Sequence, residues 1–340
     1  MKRRRVLFVA ALSLLLGTPA LVVALTRVRD GGAMDLVLRA ATVHRTLSYS
    51  GAVAWRNANW EPPVRVTHDA QSGRTSYLWW GRREMVFAAP SVRTPDPAAW
   101  CLDPVALAGA YRAEEGEPTR CLDREARVFK VVPGCAGRPV ILLTVDAETL
   151  LPLMVSTLRP DGSLYRVAAF REVAIGPTSV KEAAPSRFTG WYGGPVPPSR
   201  AEEIAGFRLV RPEYLPEGFR LLEVRCATEP LPSARFIYTD GVTAFEIRQE
   251  PLLTPAQIDS VLARRQDPVA AEQSARWIHE RRYRALLRQG SGEAAAVARR
   301  EDASHVHYEL RVGRVEVELS ARANLEENEI LSVIRSLRAG

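Results

Sequence analysis

Lysine is nearly missing from this chain: Lys2, Lys130 and Lys181 are its only three in 340 residues, and arginine carries the remaining positive charge. Enzyme signatures are missing as well. There is no Gly-x-Ser-x-Gly elbow, no His-Glu-x-x-His and no glycine-rich loop closing on Lys; Gly290-Ser-Gly-Glu lacks that Lys. The hydrolase elbow, the zinc-protease helix and the phosphate loop are therefore excluded by motif. A hydrolase would have to assemble a nucleophile and base from distant residues. Cysteine is sparse, at Cys101, Cys121, Cys135 and Cys226, with no Cys-x-x-Cys pair and no zinc spacing. That argues against redox and zinc chemistry and for structural thiols. The formal charge is +7; the four basic residues at positions 2–5 supply over half of it, too mild a remainder for nucleic-acid binding.

What is present begins with an export signal. Lys2-Arg-Arg-Arg precedes an uncharged run from Val6 to Leu25, then Arg27 and Arg29. Flanking charge holds the start on the cytoplasmic side while the apolar run enters the membrane. Residues 1–29 are read as a signal peptide or an N-terminal membrane anchor. The run is long enough to span, Gly17 and Pro19 interrupt it, and Val22-Val23-Ala24 offers a cleavage site. Either way residues 30–340 lie outside the cytoplasm, in the periplasm or on the outer face of the inner membrane. No cysteine follows the run, so a lipid-modified cysteine anchor is not expected.

At this length, with 46% hydrophobic residues, two domains are expected. The stretch from Gly137 to Val173 organises the first. Pro139–Val145, Leu151–Leu158 and Leu164–Val173 read as three strands joined by Asp146-Ala-Glu-Thr and Arg159-Pro-Asp-Gly turns. Leu164, Ala168 and Phe170 are expected on one face. Upstream, Leu36, Ala40, Val43 and Leu47 make an apolar stripe on a helix over Met34–Ser48. Strands are expected at Tyr49–Arg56, Val64–Asp69, Thr75–Trp80 and Glu84–Ala88. Residues 89–125, broken by prolines and holding Cys101 and Cys121, read as an insertion or lid. A Cys101–Cys121 disulfide is favoured for an oxidising compartment, worth about 3 kcal/mol by loop closure. Domain bounds are set at 33–184 and 201–340, with 185–200 as a Gly/Pro-rich linker.

In the second domain, strands are expected at Phe219–Cys226, Ala234–Thr239 and Val242–Gln249, and a hairpin at His305–Arg311 and Arg314–Ser320. Thr254-Pro255 starts a helix to Arg265. Asn324 with Glu327 forms a capping box for the last helix, whose apolar contacts are Leu325, Ile330, Ile334 and Leu337.

Several of these residues carry a resemblance. The N-terminal helix running into Tyr49-Ser-Gly-Ala-Val, then Pro63-Val-Arg-Val-Thr-His, resembles the opening of the MucB/RseB family of envelope-stress regulators. So do Ala136-Gly-Arg-Pro-Val, the Asp146-x-Glu-Thr-x-Leu-Pro turn and the Asp161-Gly hairpin. Pro212-Glu-Tyr-Leu-Pro-Glu-Gly-Phe219 and Tyr238-Thr-Asp-Gly look like that family's C-terminal domain. The resemblance implies an α+β fold: a LolA-like curved antiparallel sheet, an open half-barrel covered by helices, plus a smaller C-terminal α+β domain. It also implies a non-enzymatic, cofactor-free regulator that binds a lipid or lipoprotein acyl chain and the periplasmic segment of a membrane anti-sigma factor. The alternative is a LolA-like carrier that moves lipoproteins and regulates nothing.

An acyl-binding cavity needs large apolar side chains on a concave face. The candidates are Trp55, Tyr77, Trp79, Met85, Phe87, Met154, Leu158 and Phe170. Singly, each also suits an ordinary core; the aromatic excess on both faces of one strand points to a cavity. Arg276, Arg281, Arg282, Arg284 and Arg288, interleaved with Trp277, Ile278, Tyr283 and Leu286, suit contact with an acidic partner or headgroups. They equally suit a solvated face whose arginine stems cover apolar surface. His305, His307 and Glu309 share a strand face, but with no fourth ligand they are read as solvated, not as a metal site.

Overall fold

The computed structural model describes residues 32–56, 60–79, 83–87, 96–180, 194–228, 232–252, 298–301, 305–322 and 325–339. Two compact units emerge: residues 1–184 with 240–243, and residues 185–239 with 244–340. Both are α+β, built on antiparallel sheet with few helices.

The first unit starts with helix α1 (Ala33–Thr42), which buries Val37, Ala40 and Ala41. The apolar stripe predicts a longer helix. It stops at Thr42, whose hydroxyl bonds back to the Leu38 carbonyl at 3.1 Å, and a 3-10 turn over Val43–Arg45 follows. Such back-bonding competes with helix continuation. Strands β1 (Tyr49–Arg56), β2 (Trp60–Asp69), β3 (Arg74–Trp79) and β4 (Arg83–Phe87) come next. After a 3-10 turn at Pro97–Ala99 lies helix α2 (Pro104–Ala110), with the Asp103 carboxylate capping Val105 and Ala106. Then come β5 (Tyr111–Glu115), β6 (Thr119–Cys121), β7 (Arg124–Pro133), β8 (Val140–Asp146), β9 (Pro152–Leu158) and β10 (Leu164–Ile175).

These form one sheet in the order β4-β3-β2-β1-β10-β9-β8-β7-β5, with β6 also pairing β7. Residues 111–121 of the expected insertion are thus no lid. Arg112 pairs with Val132 and Thr119 with Ala126, so the segment adds strands to the sheet. The expected Cys101–Cys121 bridge is also absent. Both thiols are free and buried, Cys101 packed with α1 and α2, Cys121 in a separate cluster with Ala126 and Leu153. Leu164 is exposed, because a register shift between Leu164 and Arg166 takes it out of the alternation that Ala168 and Phe170 follow.

The second unit comprises β11 (Gly194–Val196), helix α3 (Ala201–Ala205), β12 (Val210–Pro212), β13 (Arg220–Ala227), β14 (Ser233–Thr239), β15 (Ala244–Pro251), β16 (Ala298–Glu301), β17 (His305–Val312), β18 (Val315–Arg322), helix α4 (Glu327–Arg335) and β19 (Leu337–Ala339). Its sheet runs β11-β13-β14-β15-β18-β17-β16, and β12 pairs β19. Within the Gly/Pro-rich stretch Gly194–Val196 is strand, not linker, with Pro195 paired to Arg225, and Pro198–Arg200 is a 3-10 turn. Phe219, Phe236, Tyr238 and Phe245 form the aromatic centre of its core, which Ile330 and Ile334 of α4 cover. The cap of α4 is Glu326, without a side-chain bond; Asn324 lies outside the described residues, as does the expected helix from Pro255 to Arg265.

Candidate functional site

Register assigns the candidate lining residues to faces. Val53 lies opposite both Val64 and Phe170, Val66 opposite Tyr77, and Trp55 opposite Ala168. Tyr77 pairs with Met85, Thr75 with Phe87, and Val64 with Trp79. Side chains alternate along a strand, so Trp55, Tyr77, Trp79, Met85, Phe87 and Phe170 occupy positions on one face of the sheet. Trp79, Met85 and Phe87 are placed by backbone register alone. Met154 and Leu158 belong to the opposite face, alternating with Val155, which packs with α1. The sequence set therefore divides, six against two.

The six-residue face is filled where side chains are described. Tyr49, Val53, Val64, Val66, Tyr77 and Phe170 cluster with Ala98 and Leu151, and Tyr77 and Phe170 are fully buried. Burying one such side chain is worth about 1.5–3 kcal/mol. Gly51 makes room for this packing: a Cβ there would collide with the Glu172 carbonyl and meet the Phe170 ring at 2.9 Å. Trp55 is half-buried in the cluster, and its Nε1 is buried with no hydrogen-bond partner.

A polar network that sequence reasoning missed sits on this face. Asp96 is buried; its carboxylate accepts from the Tyr49 hydroxyl at 2.6 Å, from the Ala98 N–H at 2.9 Å and, more distantly, from the Tyr77 hydroxyl at 3.4 Å. The Tyr49 ring packs on His68, centroids 5.1 Å apart. His68 Nε2 donates to the His44 carbonyl, while Nδ1 lies 2.8 Å from the Thr75 hydroxyl. Burial raises the Asp96 pKa above the ordinary carboxylate value, the hydrogen bonds and His68 opposing it. Burial, then His68 and Arg45, lowers the His44 pKa to about 4. The one available sequence signal was Asp96-Pro97, a cap before proline, which marks a turn but not its burial.

A second buried polar group in this unit joins Arg138 to Asp240, 3.5 Å apart and both almost fully buried, with the Tyr111 hydroxyl donating to Asp240 at 3.1 Å. On the open face, Ser50, Gly51, Arg65, Thr67, Glu172 and Ala174 line a shallow depression of about 410 Å³, with Arg65 and Glu172 3.8 Å apart. His307 pairs with Glu318 at 3.5 Å, and among the described residues no cluster of side chains could hold a metal. Arg276, Arg281, Arg282, Arg284 and Arg288 lie outside the described residues. Among the described residues no helix is long and apolar enough to cross a membrane.

No protein-family model matches the chain. Comparison with curated proteins finds the sigma factor AlgU regulatory protein MucB of Pseudomonas aeruginosa, 27% identical over 178 residues, covering 51% of this chain and 55% of that protein. The sigma-E factor regulatory protein RseB of Escherichia coli is 29% identical over 153 residues, 42% of this chain and 45% of RseB. The sequence match thus spans about half the length of these relatives. Among solved structures, the Pseudomonas aeruginosa MucA/MucB complex contains a chain that matches 91% of this one and 99% of itself, with a TM-score of 0.56 and 20% identity. This chain is MucB/RseB-like. The MucB-like fold extends over both units, well past the stretch where sequence alone matches.

Proposed function

We propose that this protein is a non-enzymatic regulator of the cell envelope that binds an acyl chain in its first unit and the periplasmic segment of a membrane anti-sigma factor. The carrying observation is the MucB-like fold over 91% of the chain, shared with a structure in which MucB is bound to MucA. The relatives matched by sequence are named as sigma-factor regulators. The aromatic face supplies the second support. Six of the eight candidate positions converge on one sheet face, as an apolar ligand site requires. Each buried methylene of an acyl chain adds about 0.8 kcal/mol, so a chain of modest length gives enough free energy to shift a partner equilibrium. It does so only if the acyl-bound form has a different affinity for the partner.

The protein acts outside the cytoplasm, delivered by residues 1–29, with residues 33–184 as the lipid-binding domain and 201–340 as its partner-binding companion. Arg276, Arg281, Arg282, Arg284 and Arg288 contribute positive charge toward the partner. The test is capture of the partner's periplasmic segment by the full chain, with and without a diacylated lipopeptide. Release on adding lipopeptide is expected. Partner binding that lipopeptide leaves unchanged would remove the sensing role, and no binding at all would remove the regulator role.

A further inference from the structure

Three small residues, Pro97, Ala98 and Ala99, are buried in the 3-10 turn that follows Asp96. Ala98 packs into the same cluster as Tyr77 and Phe170, so the turn occupies the aromatic face itself. We propose that the Asp96–Ala99 turn is a displaceable plug, latched by the Tyr49 and Tyr77 hydroxyls on Asp96, which an entering acyl chain pushes out. This rests on the acyl-binding reading and adds how that site opens.

Two features distinguish a plug from ordinary core. The first is composition. A proline and two alanines bring little apolar surface, so an acyl chain laid against Tyr77 and Phe170 replaces them with more apolar contact than it removes. The second is the latch. A carboxylate buried without an ion-pair partner is a poor permanent filler, because desolvation opposes its charged form. Among the described residues no cation lies within ion-pair distance of Asp96; its acceptors are met by phenol hydroxyls and a backbone N–H. Swinging the turn outward returns the carboxylate to water and leaves the tyrosine rings in place. The closed state is thus held by directional hydrogen bonds, which break as a unit, while the apolar walls of the site persist.

The test uses the full chain and 11-(dansylamino)undecanoic acid, a fluorescent single-chain acyl probe. Asp96→Ala removes the latch and is expected to tighten probe binding about tenfold. Tyr49→Phe keeps the ring and loses the 2.6 Å bond, with about threefold tightening expected; it serves should Asp96→Ala not fold. In the unmodified protein, amide exchange across 96–102 is expected to speed up on adding probe, as the Ala98 N–H loses its partner. Equal or weaker binding by correctly folded variants, or slower exchange with probe bound, overturns the plug while leaving acyl binding intact. Failure of every form to bind the probe overturns the acyl reading, and the plug with it.

Discussion

The inward faces of the two sheets bury polar groups in different ways. In the second unit, Gln249 sits among Cys226, Ala234, Val317 and Leu310 positions, and its amide is matched at both ends: Oε1 accepts from Val210 N–H and Nε2 donates to Val210 C=O, each at 2.6 Å. A neutral amide thus ties β12 to the sheet as another strand would. The first unit instead packs ionisable groups into its interior: Asp96 beneath two tyrosines, His68 beside His44, and Asp240 against Arg138. The second unit also buries ion pairs, Arg248–Glu250 and Arg235–Glu246, but at the positions of β14 and β15 that alternate with its core residues. A matched neutral group adds specificity at small cost, whereas buried charge makes stability depend on its partners and on pH.

The sharpest way to break this contrast is Arg138→Met. Removing one side of a buried ion pair costs about 3–5 kcal/mol, here because the Asp240 carboxylate would lose its cation. Denaturant unfolding should show that loss in the transition of the first unit; a change below about 1 kcal/mol would mean that the pair is unimportant. Gln249→Leu is the counterpart. Leaving the Val210 N–H and C=O without partners costs about 1–3 kcal/mol for each group, and the loss should appear in the transition of the second unit.

The next prediction concerns pH. Folding lowers the His44 pKa from 6.5 to about 4. Between those values the unfolded chain binds the additional proton, so His44 makes the first unit more stable as pH rises from about 4 to 6.5. Asp96 has the opposite sign: its folded pKa is raised above 3.8, so its contribution is lost as pH climbs from 3.8 through the raised value. His44→Gln should therefore flatten the rising component, and Asp96→Asn the falling one. In the second unit burial raises the pKa of Cys226 and of Tyr238, and both stay neutral throughout this range. Thermal melts from pH 4 to 7 should move the first transition, and the two substitutions should alter that movement in opposite senses.

Much of this architecture was legible in the sequence, for physical reasons. Strand Tyr49–Arg56 and the Asp161-Gly hairpin were visible because alternation and turn chemistry are local. The helical stripe ran too far because periodicity cannot register a threonine hydroxyl bonding back to Leu38. Within residues 89–125, β5 and β6 passed for part of an insertion or lid because prolines hid short strands whose partner, β7, lies later in the chain. Met154 and Leu158 were grouped with Tyr77 because hydrophobicity gives no face when both sides of a strand are apolar; only register decides. Asp96 could not be seen as a buried acceptor, since its phenol donors lie 47 and 19 residues away.

The smallest expected effect is at Arg65 and Glu172, which face each other across Ala52 on the open side of the first sheet, 3.8 Å apart, with side chains 72% and 64% exposed. Water screens so exposed a pair, and holding two long side chains together offsets most of what attraction remains. Arg65→Ala should shift stability by less than about 0.5 kcal/mol, and salt should barely alter that difference. The pair borders the 410 Å³ depression, so the same variant reports on function. If the acyl site lies on the aromatic face, Arg65→Ala leaves affinity for the acyl probe unchanged. A tenfold loss there would move ligand binding to the opposite side of the sheet and remove the contrast between a face that opens and one that only meets solvent.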